Sequence, residues 1–142
     1  MKTSITGKVS VEINAPASRV WEALTNPEQI KKYLFGTAVK SSWKVGGSIT
    51  FSGEWEGKPY EDKGTIVKLE KEKVLQYSYW SSMSSLIDAP ENYQIITYGL
   101  TEKNGQTTVM IIQENCQSEA SRDHSEKNWS MVLATLKGLL EK

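Results

Sequence analysis

The tail of the chain sets the tightest constraint on its fold. From Glu119 to Lys142 there is no proline, and glycine occurs only at Gly138. Trp129, Val132, Leu133, Leu136 and Leu140 recur at helical spacing and share one stripe. About 23 residues at 1.5 Å each give a helix of roughly 35 Å, enough to cross the full width of a small sheet. A long helix with one apolar stripe needs a broad apolar face to lie on. Its first turns, Ser121 to Lys127, are almost wholly polar. That half therefore meets water or the polar end of a cavity.

The rest of the chain supplies such a face. Ile5, Val9, Val11 and Ile13 alternate with polar residues, which predicts a strand with one buried side. Asn14-Ala15-Pro16 stops it, and Pro16 suits the first position of a helix. Ala17, Val20, Trp21 and Leu24 then make an amphipathic helix. Asn26 can cap and Pro27 can open a second short helix with Ile30, Tyr33 and Leu34 on its apolar face. Strand patterns return after Gly36. Thr37 to Trp43 is a weak strand, followed by a turn at Val45-Gly46-Gly47. Ile49, Phe51 and Trp55 alternate with polar residues, and Gly57-Lys58-Pro59 is expected to connect this strand to the next, Tyr60 to Glu70. Gly64 within it signals a bulge or close packing. Leu75, Tyr77 and Tyr79 alternate cleanly, as do Ile96, Tyr98 and Leu100. Asn104-Gly105 is a tight-turn signal, and Thr107, Val109, Ile111 and Gln113 follow on the hairpin partner. Between these pairs, Ser81 to Asn92 reads as a long polar loop, and loops of that length without structure are usually functional or mobile. Met83, Leu86 and Ile87 are its sizeable apolar side chains and could fold over a cavity mouth.

The expected class is therefore α+β. A curved antiparallel sheet of about six or seven strands wraps around the C-terminal helix, with two short helices between strands 1 and 2. A chain of 142 residues is expected to form a single domain over 1–142. A curled sheet gripping one straight helix leaves a space between them by geometry.

Composition removes several functions. Lysine plus arginine is 17 and aspartate plus glutamate is 17, so no global charge draws the chain to nucleic acid or anionic lipid. One cysteine excludes an intrachain disulfide, and one cysteine with one histidine excludes a structural zinc site, which needs about four ligands. Cys116 and His124 could form a dyad only by chance placement, and the plainer reading is a buried thiol and an exposed imidazole. No apolar run approaches the roughly 20 residues of a membrane span. The start has no apolar signal segment. A cytoplasmic protein without metal or cofactor is expected, monomeric or homodimeric.

The motifs, in order, resemble a known group. Ile13-Asn14-Ala15-Pro16, then Val20-Trp21, Ala23-Leu24-Thr25 and Pro27-Glu28 carry the resemblance. Tyr33, Val45-Gly46-Gly47, Gly64-Thr65-Ile66, Leu75 to Tyr79, Gly105-Gln106-Thr107 and the closing Trp129, Leu133 and Leu136 continue it. This order resembles the START-like (SRPBCC) helix-grip superfamily, which includes the birch-pollen allergen fold. Within it the chain is similar to the activator of heat-shock-protein-90 ATPase homologue family. One departure is Asn128, where that family often has glycine before the helix tryptophan. The resemblance implies a helix-grip fold, but this fold hosts lipid carriers, hormone receptors, cyclases and chaperone activators.

The inward positions therefore have to indicate the function. Phe51, Trp55, Tyr77, Tyr79, Tyr98, Ile111, Gln113, Trp129 and Leu133 are the expected lining of a cavity between sheet and helix. They mix aromatic walls with phenol and amide groups, as small-molecule pockets do. The same residues could also simply fill a core. Three inward phenols would each need a partner in a dry core. The expected ligand is a small hydrophobic or amphipathic molecule, lipids included. An alternative is a chaperone ATPase activator or stress-response interaction protein. A second is a cyclase- or hydrolase-like enzyme using the same cavity. The acids give catalysis little support, since Glu54, Glu70 and Glu72 have outward or turn positions and Glu61-Asp62-Lys63 reads as a solvated charge cluster.

Overall fold

The computed structural model describes residues 5–34, 36–81 and 86–141, apart from the side chain of Trp55. Strand β1 (Ile5–Ile13) leads into the short helices α1 (Ala17–Thr25) and α2 (Pro27–Tyr33). Strands β2 (Ala38–Ser41), β3 (Ser48–Trp55), β4 (Lys58–Glu70), β5 (Val74–Tyr79), β6 (Gln94–Lys103) and β7 (Gln106–Cys116) follow, and α3 (Glu119–Leu140) closes the chain. All seven strands join one antiparallel sheet in the order β1-β7-β6-β5-β4-β3-β2. This is the helix-grip architecture.

Local chemistry sets the element ends. The Asn26 side chain accepts from the Glu28 N–H at 3.0 Å and starts α2, with Pro27 in its first turn. Pro16 is extended and stands just before α1, one residue earlier than expected. It offers no side-chain cap, so Glu102 at the far end of β6 supplies one, accepting from the Ala17 N–H at 2.6 Å. Asn104 and Gly105 both have positive φ, as a two-residue hairpin between twisted strands requires. A similar turn joins β3 to β4, but at Glu56-Gly57, with Trp55 already paired to Lys58. Lys58 and Pro59 thus lie in β4, not in the connection expected from the sequence. Pro59 is tolerated because it stands at the start of its strand.

The buried face of the sheet carries Ile13, Ile49, Ile66, Ile96, Val109 and Ile111. Val132, Leu133, Leu136 and Leu140 of α3 complete this core, as does Trp21 of α1. The backbone of α3 approaches β1 most closely, with lesser approaches to β7 and α2. Polar ties hold it there. The Lys8 and Asn14 N–H groups donate to Glu126 and Glu141 at 2.8 and 2.7 Å, and Lys137 Nζ donates to the Glu12 carbonyl at 2.7 Å. The helix therefore sits over one side of the sheet, away from β3, β4 and β5.

The segment before β6 is less open than a plain loop. Its end forms a 3₁₀ turn at Pro90–Asn92. Asn115 Nδ2 donates to the carbonyls of Glu91 and Tyr93, and Asp88 accepts from Tyr93 at 2.6 Å and pairs with Lys63. Ile87 is 73% exposed. Met83 lies outside the described residues.

Candidate functional site

A cavity of about 610 Å³ opens between α3 and the β3–β5 side of the sheet. Its walls follow from strand parity. Phe51 of β3, Tyr77 and Tyr79 of β5, and Ile96 of β6 border it from the sheet, with Leu34 after α2. Trp129 and Val132 border it from α3.

The aromatic rings form a continuous array. Phe51 stands 5.6 Å from Tyr79, edge to face, and 5.4 Å from Tyr77. Tyr77 stands 6.0 Å from Tyr98, and Tyr98 meets Trp129 edge to face at 5.9 Å. Such separations are those of attractive aromatic pairs. The array is packed, yet the cavity persists on one side of it.

Each phenol in this wall has a partner. The Tyr77 and Tyr98 hydroxyls lie 3.2 Å apart, and either can donate. Tyr79 donates to Asp62 Oδ2 at 2.6 Å. Burial is the main force raising the phenol pKa values. It lifts Tyr77 well above the ordinary range and, though the Tyr77 hydrogen bond pulls the other way, pushes Tyr98 up to about 12. Tyr79 is raised by burial first and by the Asp62 charge second.

Trp129 is fixed by an amide. Its indole N–H can only donate, and it donates to Gln113 Oε1 at 2.7 Å. This orients the Gln113 amide, whose Nε2 donates to Gln94 Oε1 at 2.8 Å. The indole thus borders the cavity in one set position.

Polar groups collect toward the β3–β4 hairpin and along the first half of α3. Thr37 and Tyr60 share a hydrogen bond of 2.7 Å. Both border the cavity, as do Glu54, Asp62 and Ser81. From α3 come His124, Ser125 and Asn128, with Asn128 Nδ2 3.2 Å from His124 Nε2. Asn128, the departure from the family pattern, thus places an amide beside the space. Cys116 is buried, its thiol donates to the Gln113 carbonyl, and it does not border the cavity.

Of the nine residues expected to line the cavity, Phe51, Tyr77, Tyr79, Gln113 and Trp129 do so. Tyr98, Ile111 and Leu133 belong to the packed core and do not border it. The Trp55 side chain lies outside the described residues. Leu86 and Ile87 do not border the space either. Asp62 corrects the reading of Glu61-Asp62-Lys63 as a solvated cluster: it is only 7% exposed and directly opposes Phe51 across the β3–β4 ladder. Its signal was in the sequence, because Asp62 shares parity with Ile66. Glu54 is exposed, as its outward parity predicts, and still borders the cavity. Among the described residues no group of three His, Cys, Asp or Glu side chains could hold a metal ion. No helix among them is long and apolar enough to cross a membrane.

A curved antiparallel sheet gripping a long helix, with an aromatic-walled cavity between them, defines a START-like helix-grip protein. Residues 14–141 match the family described as Activator of Hsp90 ATPase homolog 1-like protein, and the chain belongs to that family. A solution structure from Cytophaga hutchinsonii is 46% identical, covers 99% of this chain and 97% of its own, and superposes with a TM-score of 0.86. The solution structure of the Aha1 dimer from Colwellia psychrerythraea is 20% identical, with 96% of each chain covered and a TM-score of 0.75. The crystal structure of a protein from the dynemicin biosynthetic locus is 19% identical with a TM-score of 0.78. There the match covers 96% of this chain and 47% of that one. No curated protein matches the chain.

Proposed function

We propose that the chain, acting as a single domain in the cytoplasm, binds a small hydrophobic or amphipathic molecule in the cavity between β3–β5 and α3. The observation that carries this reading is the space of about 610 Å³ beside a wall whose phenols are satisfied without filling it. Ligand pockets commonly span roughly 300–1,000 Å³, with apolar walls and a few placed polar groups. Phe51, Tyr77, Tyr79 and Trp129 supply the walls, and Gln113, Asp62 and Asn128 supply polar atoms. Lipids and flat aromatic molecules fall within that class. The related fold encoded in a dynemicin biosynthetic locus is in keeping with small-molecule work. The test is native mass spectrometry of the protein as purified from cells, followed by identification of released molecules. An apolar or amphipathic molecule bound one to one is the expected result. An empty protein that also fails to bind an apolar dye would overturn the reading.

The family match supports a second reading, direct regulation of a chaperone of the Hsp90 type. A pull-down with that chaperone, read out as a change in its ATPase rate, separates the two. The Aha1 dimer from Colwellia makes a homodimer the assembly to look for by sedimentation.

A further inference from the structure

The cavity is chemically one-sided. Two side chains that border it, Glu54 and Asp62, carry carboxylates, and no lysine or arginine borders it among the described residues. The nearest lysine in sequence, Lys63, takes the opposite parity on β4. It pairs with Asp88 and lies 5.9 Å from the Trp80 ring centroid, on an exposed side of the strand. His124 is the single imidazole in the lining, and it faces Asn128.

We propose that the preferred ligand is a cationic amphiphile, an amine with an apolar body, held in the cavity beside Asp62 and the aromatic wall, with Glu54 elsewhere on the same lining. The proposal rests on the cavity-binding reading above and narrows its ligand class. Asp62 is held in place by the Tyr79 hydroxyl at 2.6 Å, so its carboxylate is preset at the cavity surface and needs little reorganisation. Burial and the Asp62 charge both keep the Tyr79 phenol protonated, so Tyr79 adds no second negative charge. Phe51, Tyr77, Tyr79 and Trp129 border the same space, and aromatic rings attract an ammonium group through their quadrupoles, more strongly when water is excluded. A carboxylate ligand would meet like charges in a space screened less than open solvent. Its apolar body would gain the same wall contacts, but its head would be repelled.

The experiment is displacement of N-phenyl-1-naphthylamine by dodecylammonium, dodecanol and dodecanoate, each below its micelle concentration. These three share one chain and differ only in the head. Dodecylammonium should displace the dye at about tenfold lower concentration than dodecanoate, with dodecanol between them. Asp62→Asn and Glu54→Gln should each narrow that gap. Glu54 is exposed, so its variant decides the matter if Asp62→Asn fails to fold. Equal or inverted displacement by dodecanoate in the wild type would overturn the proposal while leaving the cavity reading intact. An unchanged gap in the folded variants would also overturn it. Absence of dye binding to a wild-type protein that also carries no molecule as purified would overturn both readings together.

Discussion

The indole N–H of Trp129 and the side-chain oxygen of Gln113 lie 2.7 Å apart, joining the long helix to strand β7 beside the cavity. Trp129 has no second polar atom with which to seek another acceptor. Gln113→Leu should leave that donor unsatisfied and cost about 1–3 kcal/mol in urea unfolding. It should also weaken dye binding, because the indole loses its fixed position. Stability and dye affinity both equal to wild type would show that the bond orients nothing.

Trp21 is 9% exposed and fills the contact between α1 and the core. Trp21→Ala should cost about 3–5 kcal/mol, as for other large buried aromatics. A melting temperature near that of the wild type would contradict the role assigned to α1.

Two glycines predict opposite outcomes. A Cβ on Gly64 would stand 1.6 Å from the Ser78 carbonyl oxygen, where β4 and β5 come together around an irregular register. Gly64→Ala should destabilise by about 3 kcal/mol or more, because backbone must move. A Cβ on Gly138 meets nothing within 4 Å. Gly138→Ala should stabilise α3 by roughly 0.5–1 kcal/mol through helix propensity alone. Thermal unfolding of the two variants checks both signs.

The buried phenols predict a high-pH limit to stability. Their folded pKa values are raised above the ordinary value of 10.0, so the fold favours the neutral form. Their contribution is fully present below pH 10 and is lost as pH rises through the folded value, about 12 for Tyr98. The melting temperature should fall steeply above pH 10. Tyrosinate absorbance from these groups should appear only with loss of near-ultraviolet circular dichroism. Ionisation of all six tyrosines before unfolding would contradict their burial.

Much of the architecture was legible because each element is announced more than once. The Asn26-Pro27 pair, the Tyr77 and Tyr98 alternations, and the Asn104-Gly105 turn each tie a residue type to one backbone shape. The β3–β4 connection misled because Glu56 adopts positive φ without being asparagine or glycine. Extending the connection over Gly57-Lys58-Pro59 brings Glu61, Asp62 and Lys63 close to its tip, where charges are normally solvated. The true turn lies earlier, and Asp62 then falls inside the sheet on the Ile66 face. The cavity was legible as aromatic parity, but its depth was not. Parity says which face a residue joins, while the lean of α3 toward β1 decides which part of that face is covered. Tyr98 and Ile111 fall under the cover, Leu133 is the part of α3 that packs into the core, and Phe51, Tyr77 and Tyr79 border the opening.

The two halves of α3 differ in how freely they can vary. No residue from Glu119 to Met131 is buried, whereas Val132, Leu133, Leu136 and Leu140 all are. Changes at Ser125 or Asn128 therefore alter the cavity surface without disturbing the residues that keep the sheet closed. A lineage carrying this helix can change what it accommodates by drift at such exposed positions, while selection on folding holds Trp129, Glu126 and the buried half still. Specificity and stability are thus divided among neighbouring positions of one helix.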